Sequence, residues 1–323
     1  MKRIFFLLVI FIFVVGCEDN GPSVTSEDVY KGTTGMEISF QENKPPEESY
    51  VGRYFFMNLD VWNKGAYDVE DGYILINLDD THMIVREEPR FGEPSSFNKL
   101  DESHISFQLF GRNTLNIQGE HDSFGLKIET PKILSLEEQD SSLSVSVCYP
   151  YHTIASPNVC IDTDPLGLRE GGTRACEASD VSLSGGQGGP VGVKRVEVEM
   201  LPTTDERRVQ PQFIIHIDNF GSGDVFAPEK ANDVCYGKYN EDDLNKVLVT
   251  ASLPDGKELD CDIESDEKTF LVDMESKEKF AICTLEEGFN IEGGSYTVPL
   301  NIRLDYSYRT TINHDITIKK LGR

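Results

Sequence analysis

The sequence is short of positive charge. Lys and Arg number 30 against 56 Asp and Glu, a net charge of −26 over 323 residues. Nucleic-acid binding needs clustered cations to meet phosphates, so that class of partner is excluded. An anionic membrane surface is disfavoured as a partner for the same reason. No apolar run reaches the roughly 18 residues of a spanning helix. Tryptophan occurs once, at Trp62, which is few for a carbohydrate binder. No Asn-x-Ser/Thr sequon occurs, so N-linked sugar of the usual type does not mask the surface. The six histidines (His82, His104, His121, His152, His216 and His314) form no H-E-x-x-H or H-x-H pattern, and His216 falls on the polar face of an alternating strand as a plain surface residue. No G-x-S-x-G elbow is present. With no catalytic constellation visible, the sequence reads as non-enzymatic, and a carboxylate-based hydrolase is a minor alternative.

What is present starts at the N-terminus. Lys2 and Arg3 precede an apolar run of 12 residues, Ile4 to Val15, too short to span a bilayer but suited to a signal peptide. The run ends Val14-Val15-Gly16-Cys17, which resembles the lipobox of prokaryotic lipoproteins. The resemblance implies removal of residues 1–16 and lipidation of Cys17. An ordinary signal peptide or an uncleaved anchor is the alternative, and each places the body outside the cytoplasm. Loss of Lys2 and Arg3 takes the net charge from −26 to −28. Residues 17–33 are polar and aperiodic and read as a flexible tether.

Six cysteines then remain: Cys148, Cys160, Cys176, Cys235, Cys261 and Cys283. An even number in an exported chain points to disulfides. Zinc would need closer pairs than these gaps of 12, 16, 59, 26 and 22 residues. Sequence alone leaves the connectivity open; sequential pairing (Cys148–Cys160, Cys176–Cys235, Cys261–Cys283) is the working expectation.

Strand-like alternation recurs along the chain with Gly, Pro, Asn and Asp between the runs. Residues 57–69, MNLDVWNKGAYDV, match residues 213–225, FIIHIDNFGSGDV, at an offset of 156. The shared elements are an alternating strand and then Asn63, Gly65, Asp68 and Val69, repeated as Asn219, Gly221, Asp224 and Val225. Leu143, Val145, Val147, Tyr149 and Tyr151 match Leu300, Ile302, Leu304, Tyr306 and Tyr308 at an offset of 157. Met36, Ile38 and Phe40 are set against Val196, Val198 and Met200 at an offset of 160. Three blocks in one order define an internal repeat. In the Asn-x-Gly turn, Gly can take positive φ, and the Asn and Asp side chains can cap backbone groups.

This pattern resembles the CARDB-type immunoglobulin-like domain of archaeal and bacterial cell-surface proteins, S-layer-related ones included. The specific part of the likeness is about 13 residues per copy. It implies a seven-to-eight-stranded sandwich with an adhesive or scaffolding role, and it brings no shared catalytic residues. The expected architecture is all-β: two tandem immunoglobulin-like sandwiches at 34–155 and 190–318, joined by a disulfide-containing connector at 156–189. The Gly-rich run at 185–189 in that connector lacks the Gly-Lys-Ser/Thr of a phosphate loop and reads as a hinge or strand lead-in.

Calcium is the one ion the carboxylates raise. The candidates are Asp79-Asp80, Asp162 with Asp164, and Glu241-Asp242-Asp243, and none matches a D-x-[DN]-x-[DN]-G loop. Solvated acidic surface is the preferred reading, with no cofactor. The functional expectation is a lipid-anchored, extracytoplasmic protein that meets the membrane through Cys17 and other envelope or surface proteins through its body. The alternative is a solute- or polysaccharide-binding lipoprotein with its ligand at the junction near 150–190, where Trp62, Tyr149, Tyr151, Tyr306 and Tyr308 could stack on sugars. The tyrosines continue the apolar alternation of their strands, so they read as core or boundary residues.

Overall fold

Alternation in the sequence becomes pleat in the structure. The computed structural model describes residues 25–321 apart from positions 88, 93–94, 133–135, 166, 168–173, 206, 263–270, 276–278 and 292–293. In the strand Tyr54–Asn63, every second side chain from Phe55 to Asn63 is buried. Its counterpart Arg208–Asn219 buries Val209, Phe213, Ile215 and Ile217 in the same rhythm. β-branched and aromatic residues at the inward positions suit a half-buried pleated surface.

The first part of the chain gives α1 (Ser26–Val29), β1 (Met36–Phe40), β2 (Glu48–Tyr50), β3 (Tyr54–Asn63), β4 (Val69–Leu78), β5 (Ile84–Val85), β6 (Arg90–Phe91), β7 (Phe97–Lys99), β8 (His104–Leu109), β9 (His121–Glu129) and the long β10 (Glu138–Ala155). Next come β11 (Asn158–Ile161) and β12 (Val181–Ser182). The second part gives β13 (Val191–Pro202), β14 (Arg208–Asn219), β15 (Asp224–Phe226), α2 (Ala231–Cys235), β16 (Lys246–Ser252), β17 (Asp260–Asp262), β18 (Leu271–Asp273), β19 (Phe280–Thr284), β20 (Phe289–Asn290), β21 (Tyr296–Pro299) and β22 (Asn301–Lys319). The fold is thus all-β, as expected. Among the described residues no helix is long and apolar enough to cross a membrane.

The repeat is visible in the sheets. One sheet runs β1-β3-β9-β5, and its counterpart runs β12-β13-β14-β19-β17. The third is a nine-stranded sheet, β18-β16-β22-β10-β4-β8-β7, built from both parts of the chain. Its centre is β10 against β22, antiparallel over the whole of β10. The expected boundary between residues 34–155 and 190–318 is therefore crossed by a continuous ladder. One hydrophobic cluster draws on both copies, from Met57 and Val145 to Phe213 and Leu304.

The register at the crossing is informative. Tyr149 lies opposite Tyr308, Pro150 opposite Ser307 and Tyr151 opposite Tyr306. The repeat offset of 157 also relates Tyr149 to Tyr306, Pro150 to Ser307 and Tyr151 to Tyr308. Both relations hold together only if a pseudo-two-fold axis passes through the Pro150/Ser307 pair. The two copies meet as the subunits of a strand-paired symmetric dimer would, through the same patch on each.

Two expectations need correction. The match of Met36, Ile38 and Phe40 to Val196, Val198 and Met200 is out of register. Met36 pairs with Asn63, and it is Val191 that pairs with Asn219. An irregularity between Val193 and Arg195 shifts the alternation of β13, so residues beyond it imitate the start of β1. The sequential disulfide pairing fails for four of the six cysteines. Cys148 joins Cys235, and Cys160 joins Cys176; Cys261 does join Cys283. β10 stays extended for seven residues past Cys148, and β11 then pairs with β21 instead of folding back on β10, which carries Cys160 away.

Cys148 faces out of the shared sheet and is covered from the other copy. α2 brings Cys235 to it, with Cα atoms 5.7 Å apart. Phe226, Val234, Tyr239 and Leu244 pack there against Tyr73 and Leu75 of β4, forming a second small apolar cluster. Beyond α2, Tyr236 stacks on His104 of β8 at 3.8 Å between centroids. The second copy thus straps the first on the face opposite the main core.

Replacing Cys148 and Cys235 together by Ala should cost about 4 kcal/mol of stability, since the bridge closes a loop of 87 residues. Removing Cys160–Cys176, which spans 16 residues, should cost about 3 kcal/mol. Urea unfolding checks both, and a cost under about 1 kcal/mol for the first pair would mean that the strap is not held by its bridge.

Candidate functional site: the strand junction and its rim

Four tyrosines meet around the pseudo-two-fold axis. Tyr149, Tyr151, Tyr306 and Tyr308 are all buried, with neighbouring ring centroids 5.6–6.3 Å apart. Their hydroxyls are spent in a repeating way. Tyr149 accepts the N–H of Met36 at 3.1 Å, and Tyr306 accepts that of Val191 at 3.3 Å. Tyr151 accepts the N–H of Tyr67 at 3.1 Å, and Tyr308 that of Gly223 at 2.8 Å. Each pair thus ties β10 or β22 to the first strand and the turn of its own copy. Tyr151 also donates to the Gly188 carbonyl, and Tyr306 lies 2.9 Å from the Thr153 hydroxyl across the copies.

The repeated Asn-x-Gly turns are the receptors for these hydroxyls. Asn63 donates to the Tyr67 carbonyl and accepts from Gly65 N–H. Asn219 does the same with Gly223 and Gly221. The Asn capping role is as expected; the Gly role is not. Neither Gly65 nor Gly221 has positive φ. A Cβ on Gly65 would overlap the Tyr151 hydroxyl, and one on Gly221 the Tyr308 hydroxyl. Glycine is needed there for close approach of a ring. The two aspartates differ: Asp68 accepts the Gly111 N–H at 2.8 Å, whereas Asp224 pairs with Arg309 at 2.8 Å. Val69 and Val225 both return to the core.

Burial drives the tyrosine hydroxyls away from ionisation. Tyr149, Tyr151 and Tyr306 are pushed well up, and Tyr67, at the rim, is pushed up to about 12, in each case chiefly by desolvation. A cluster whose hydroxyls are all engaged and neutral offers neither a nucleophile nor a base at neutral pH. The junction interior is a packed core.

Its rim is open. A groove of about 530 Å³ runs beside α1, walled by Tyr30, Tyr67, Ile154, Pro157 and Leu183. Tyr67 accepts the Ile154 N–H at 3.1 Å, and its ring lies 4.2 Å from that of His152. His152 is held below the usual imidazole range by burial, with Arg303 adding to the effect. The N-terminal wall corrects the expected tether over residues 25–33; the rest of that expectation, 17–24, lies outside the described residues. Residues 25–33 are docked: Val29 is buried, Gly32 N–H donates to the Gly185 carbonyl, and Gly188 N–H donates to that of Gly32. The Gly-rich run 185–189 is thus a clamp for this segment. Neither the docking nor Tyr30 was visible in a polar, aperiodic stretch; the signal available was the match of Asn-x-Gly turns to tyrosines in both copies.

The remaining sequence candidates are dispersed. Cys17 lies outside the described residues. Asp79 bonds His82 at 2.6 Å and Ser141 at 3.0 Å, and it is held below the usual carboxylate range mainly by His82. Asp162 is buried against Arg174 and accepts the Asp164 N–H. Glu241–Asp243 forms a single 3₁₀ turn in which Asp243 accepts the Asn240 N–H and pairs with Lys230. Among the described residues no group of three or more His, Cys, Asp or Glu is gathered for a metal. His216, read as a plain surface residue, is half-buried and lies 2.8 Å from Glu197 and 3.2 Å from Arg195. Trp62 donates to the Gln118 carbonyl and carries Lys64 over its ring; it falls between the buried positions Val61 and Asn63, on the opposite face of β3 from them.

No protein-family model matches the chain, and no match is found among curated proteins. Among solved structures, 36% of the chain is similar to 83% of a chain in a type I cohesin–dockerin complex from Clostridium thermocellum, at 12% identity and a TM-score of 0.25. The same share is similar to 86% of a chain in the complex of the sixth cohesin of Acetivibrio cellulolyticus scaffoldin B with a Cel5 dockerin, at 13% identity and a TM-score of 0.24. Over 89% of its length it is similar to the whole C-terminal domain of the antigen I/II-family protein AspA of Streptococcus pyogenes, at 5% identity and a TM-score of 0.17. Likenesses this slight carry no argument about function.

The tyrosine cluster predicts the response to alkali. The folded state holds these protons above the ordinary tyrosine value of about 10, so the unfolded chain releases them first as pH rises. The stabilisation is whole below pH about 10 and is lost above it, at up to about 1.4 kcal/mol per pH unit for each such tyrosine. Urea midpoints should hold steady up to pH about 10 and fall steeply above it. Midpoints that stay level to pH about 12 would contradict the buried, neutral cluster.

Proposed function

We propose that this is a non-enzymatic, lipid-anchored extracytoplasmic protein with a structural, adhesive or protein-interaction role. The observation that carries the reading is the filled junction. Where a two-domain binding protein would keep a ligand cleft between its halves, four tyrosines and the Cys148–Cys235 bridge occupy and lock the space. A body of this kind is suited to presenting loops and sheet faces in a fixed arrangement. Three disulfides among the six cysteines fit an oxidising compartment.

In this reading residues 1–16 are a signal peptide and Cys17 carries the lipid. The copies at 34–155 and 190–318 are the units of a duplication of a CARDB-type immunoglobulin-like domain. The partners are other envelope or surface proteins. The strongly negative surface keeps the body soluble and off anionic headgroups. The solute- or polysaccharide-binding alternative has one observation in its favour, the aromatic-walled groove at the junction rim.

Two measurements test the proposal. Mass spectrometry of membrane fractions should find a diacylglyceryl-modified Cys17 at the mature N-terminus, and a chain retaining Met1 unmodified would refute the anchor. Cross-linking on intact cells should return reproducible envelope-protein partners joined to surface residues of the body. Saturable binding of a soluble glycan by the purified protein, with no protein cross-links, would favour the alternative.

A further inference from the structure

The outer edge of β1 is bare where its counterpart in the second copy is covered. In an antiparallel pair, successive residues turn their main-chain groups alternately towards the partner strand and away from it. Gln41 N–H donates to the Asn58 carbonyl, and Lys64 N–H donates to that of Gly35, so residues 35, 37, 39 and 41 face β3. Met36, Ile38 and Phe40 face the other way. Met36 N–H is taken by the Tyr149 hydroxyl. The main-chain N–H and C=O of Ile38 and Phe40 meet no partner among the described residues, and β1 is the end strand of its sheet.

The counterpart of β1 is β13. Val191 gives its N–H to Tyr306 as Met36 does to Tyr149, and Phe220 N–H donates to the Pro190 carbonyl as Lys64 does to that of Gly35. Val193 therefore stands where Ile38 stands. Past the irregularity, Val196 opposite Ile215 stands where Phe40 does opposite Leu59. Both are met. The Gln187 side-chain amide donates to the Val193 carbonyl at 3.1 Å and accepts its N–H at 2.9 Å, as a neighbouring strand would. Val181 of β12 lies opposite Val196, and Leu183 N–H donates to the Lys194 carbonyl. The cover is an extended segment, antiparallel to β13, with Val181 and Leu183 packed against the core. The offset of 155 between Met36 and Val191 relates residues 181–187 to 26–32. In the first copy that segment is α1 and the residues after it, which line the groove with Ile154 and Leu183 instead of covering β1.

An edge with unpaired main-chain groups is a template for another strand. On its inner side lies Phe40, partly buried, with the His314 ring of β22 at 5.8 Å. On its outer side Glu37 and Glu42 are exposed, on a body of net charge −26. The fitting occupant is an extended segment in which apolar residues alternate with Lys or Arg. Its apolar side chains enter beside Ile38 and Phe40, as Val181 and Leu183 do in the second copy, and its cations meet Glu37 and Glu42. A second copy of this chain is repelled by its own charge. Residues 18–24, Glu-Asp-Asn-Gly-Pro-Ser-Val, have neither the alternation nor the cations.

We propose that β1 is the docking strand for an extended basic and apolar segment of another envelope or surface protein, added antiparallel at Ile38 and Phe40 in the place that residues 181–187 hold in the second copy. The inference rests on the protein-interaction role proposed above.

The probe is a short acetylated, amidated peptide of alternating valine and lysine. Antiparallel pairing with β1 turns the N–H groups of its inward valines towards Ile38 and Phe40 and those of its lysines to solvent. The plain peptide and one N-methylated at the lysines should bind the oxidised chain beginning at Cys17 saturably and slow amide exchange at Ile38 and Phe40 several-fold. A peptide N-methylated at the valines should do neither. Glu37→Lys with Glu42→Lys should weaken binding several-fold and leave exchange at Val193 unchanged. Equal binding of the two methylated peptides, which is charge attraction alone, overturns the proposal, as does the absence of saturable binding. So does exchange at Ile38 and Phe40 as slow as at Val193 without peptide, since the edge is then already covered by the chain or by a second copy. Envelope-protein cross-links on cells without peptide binding would sink the docking strand and leave the interaction role; absence of any cross-linked partner would sink the role itself.

Discussion

β10 and β22 pair along 18 residues, and the rest of the structure depends on that ladder. Each is the strand to which its own copy ties its first strand and its Asn-x-Gly turn through tyrosine hydroxyls. Joining them edge to edge joins the two copies and also closes the sheet edge that each would otherwise expose, a place where unpaired strands invite aggregation. The pair Pro150/Ser307 sits on the pseudo-two-fold axis, so each local interaction around it occurs twice. The shared core is therefore built from one set of contacts used in duplicate, much as a symmetric dimer uses one patch twice.

The copies then diverge where symmetry would be wasteful. The second carries α2 and the loop after it, which cross to cover Cys148, Tyr73, Leu75 and His104 of the first. The first carries the docked segment around Val29, gripped by the Gly-rich run before β13. These additions fix the angle between copies from both faces of the shared sheet. A rigid body with a filled junction has the physical character of a spacer or display element, in keeping with the structural role proposed for it.

Much of this was legible in the sequence. The all-β class followed from alternation in segments such as Met57–Val61 and Phe213–Ile217, and the repeat followed from Asn63, Gly65, Tyr149 and Tyr151 and their partners 156 or 157 residues on. What was lost was three-dimensional. Strand order is not encoded in alternation, so the partnership of β10 with β22 was hidden even though its residues had been matched. The irregularity at Val193/Arg195 changes the phase of β13 and disguises where its start aligns. An Asn-x-Gly pattern ordinarily marks a backbone bend, so Gly65 and Gly221 read as turn glycines, while the ring that needs their space comes from a strand more than 80 residues away. The same blindness to long range hides the partner of Cys148, which arrives from the other copy.

Through one shared ladder and core the two copies should unfold as a single cooperative unit. Differential scanning calorimetry of the oxidised protein should then show one transition in which the calorimetric and van't Hoff enthalpies agree. Two resolved transitions, each carrying about half the enthalpy, would mean that the copies fold as independent sandwiches and that the β10–β22 ladder only joins them.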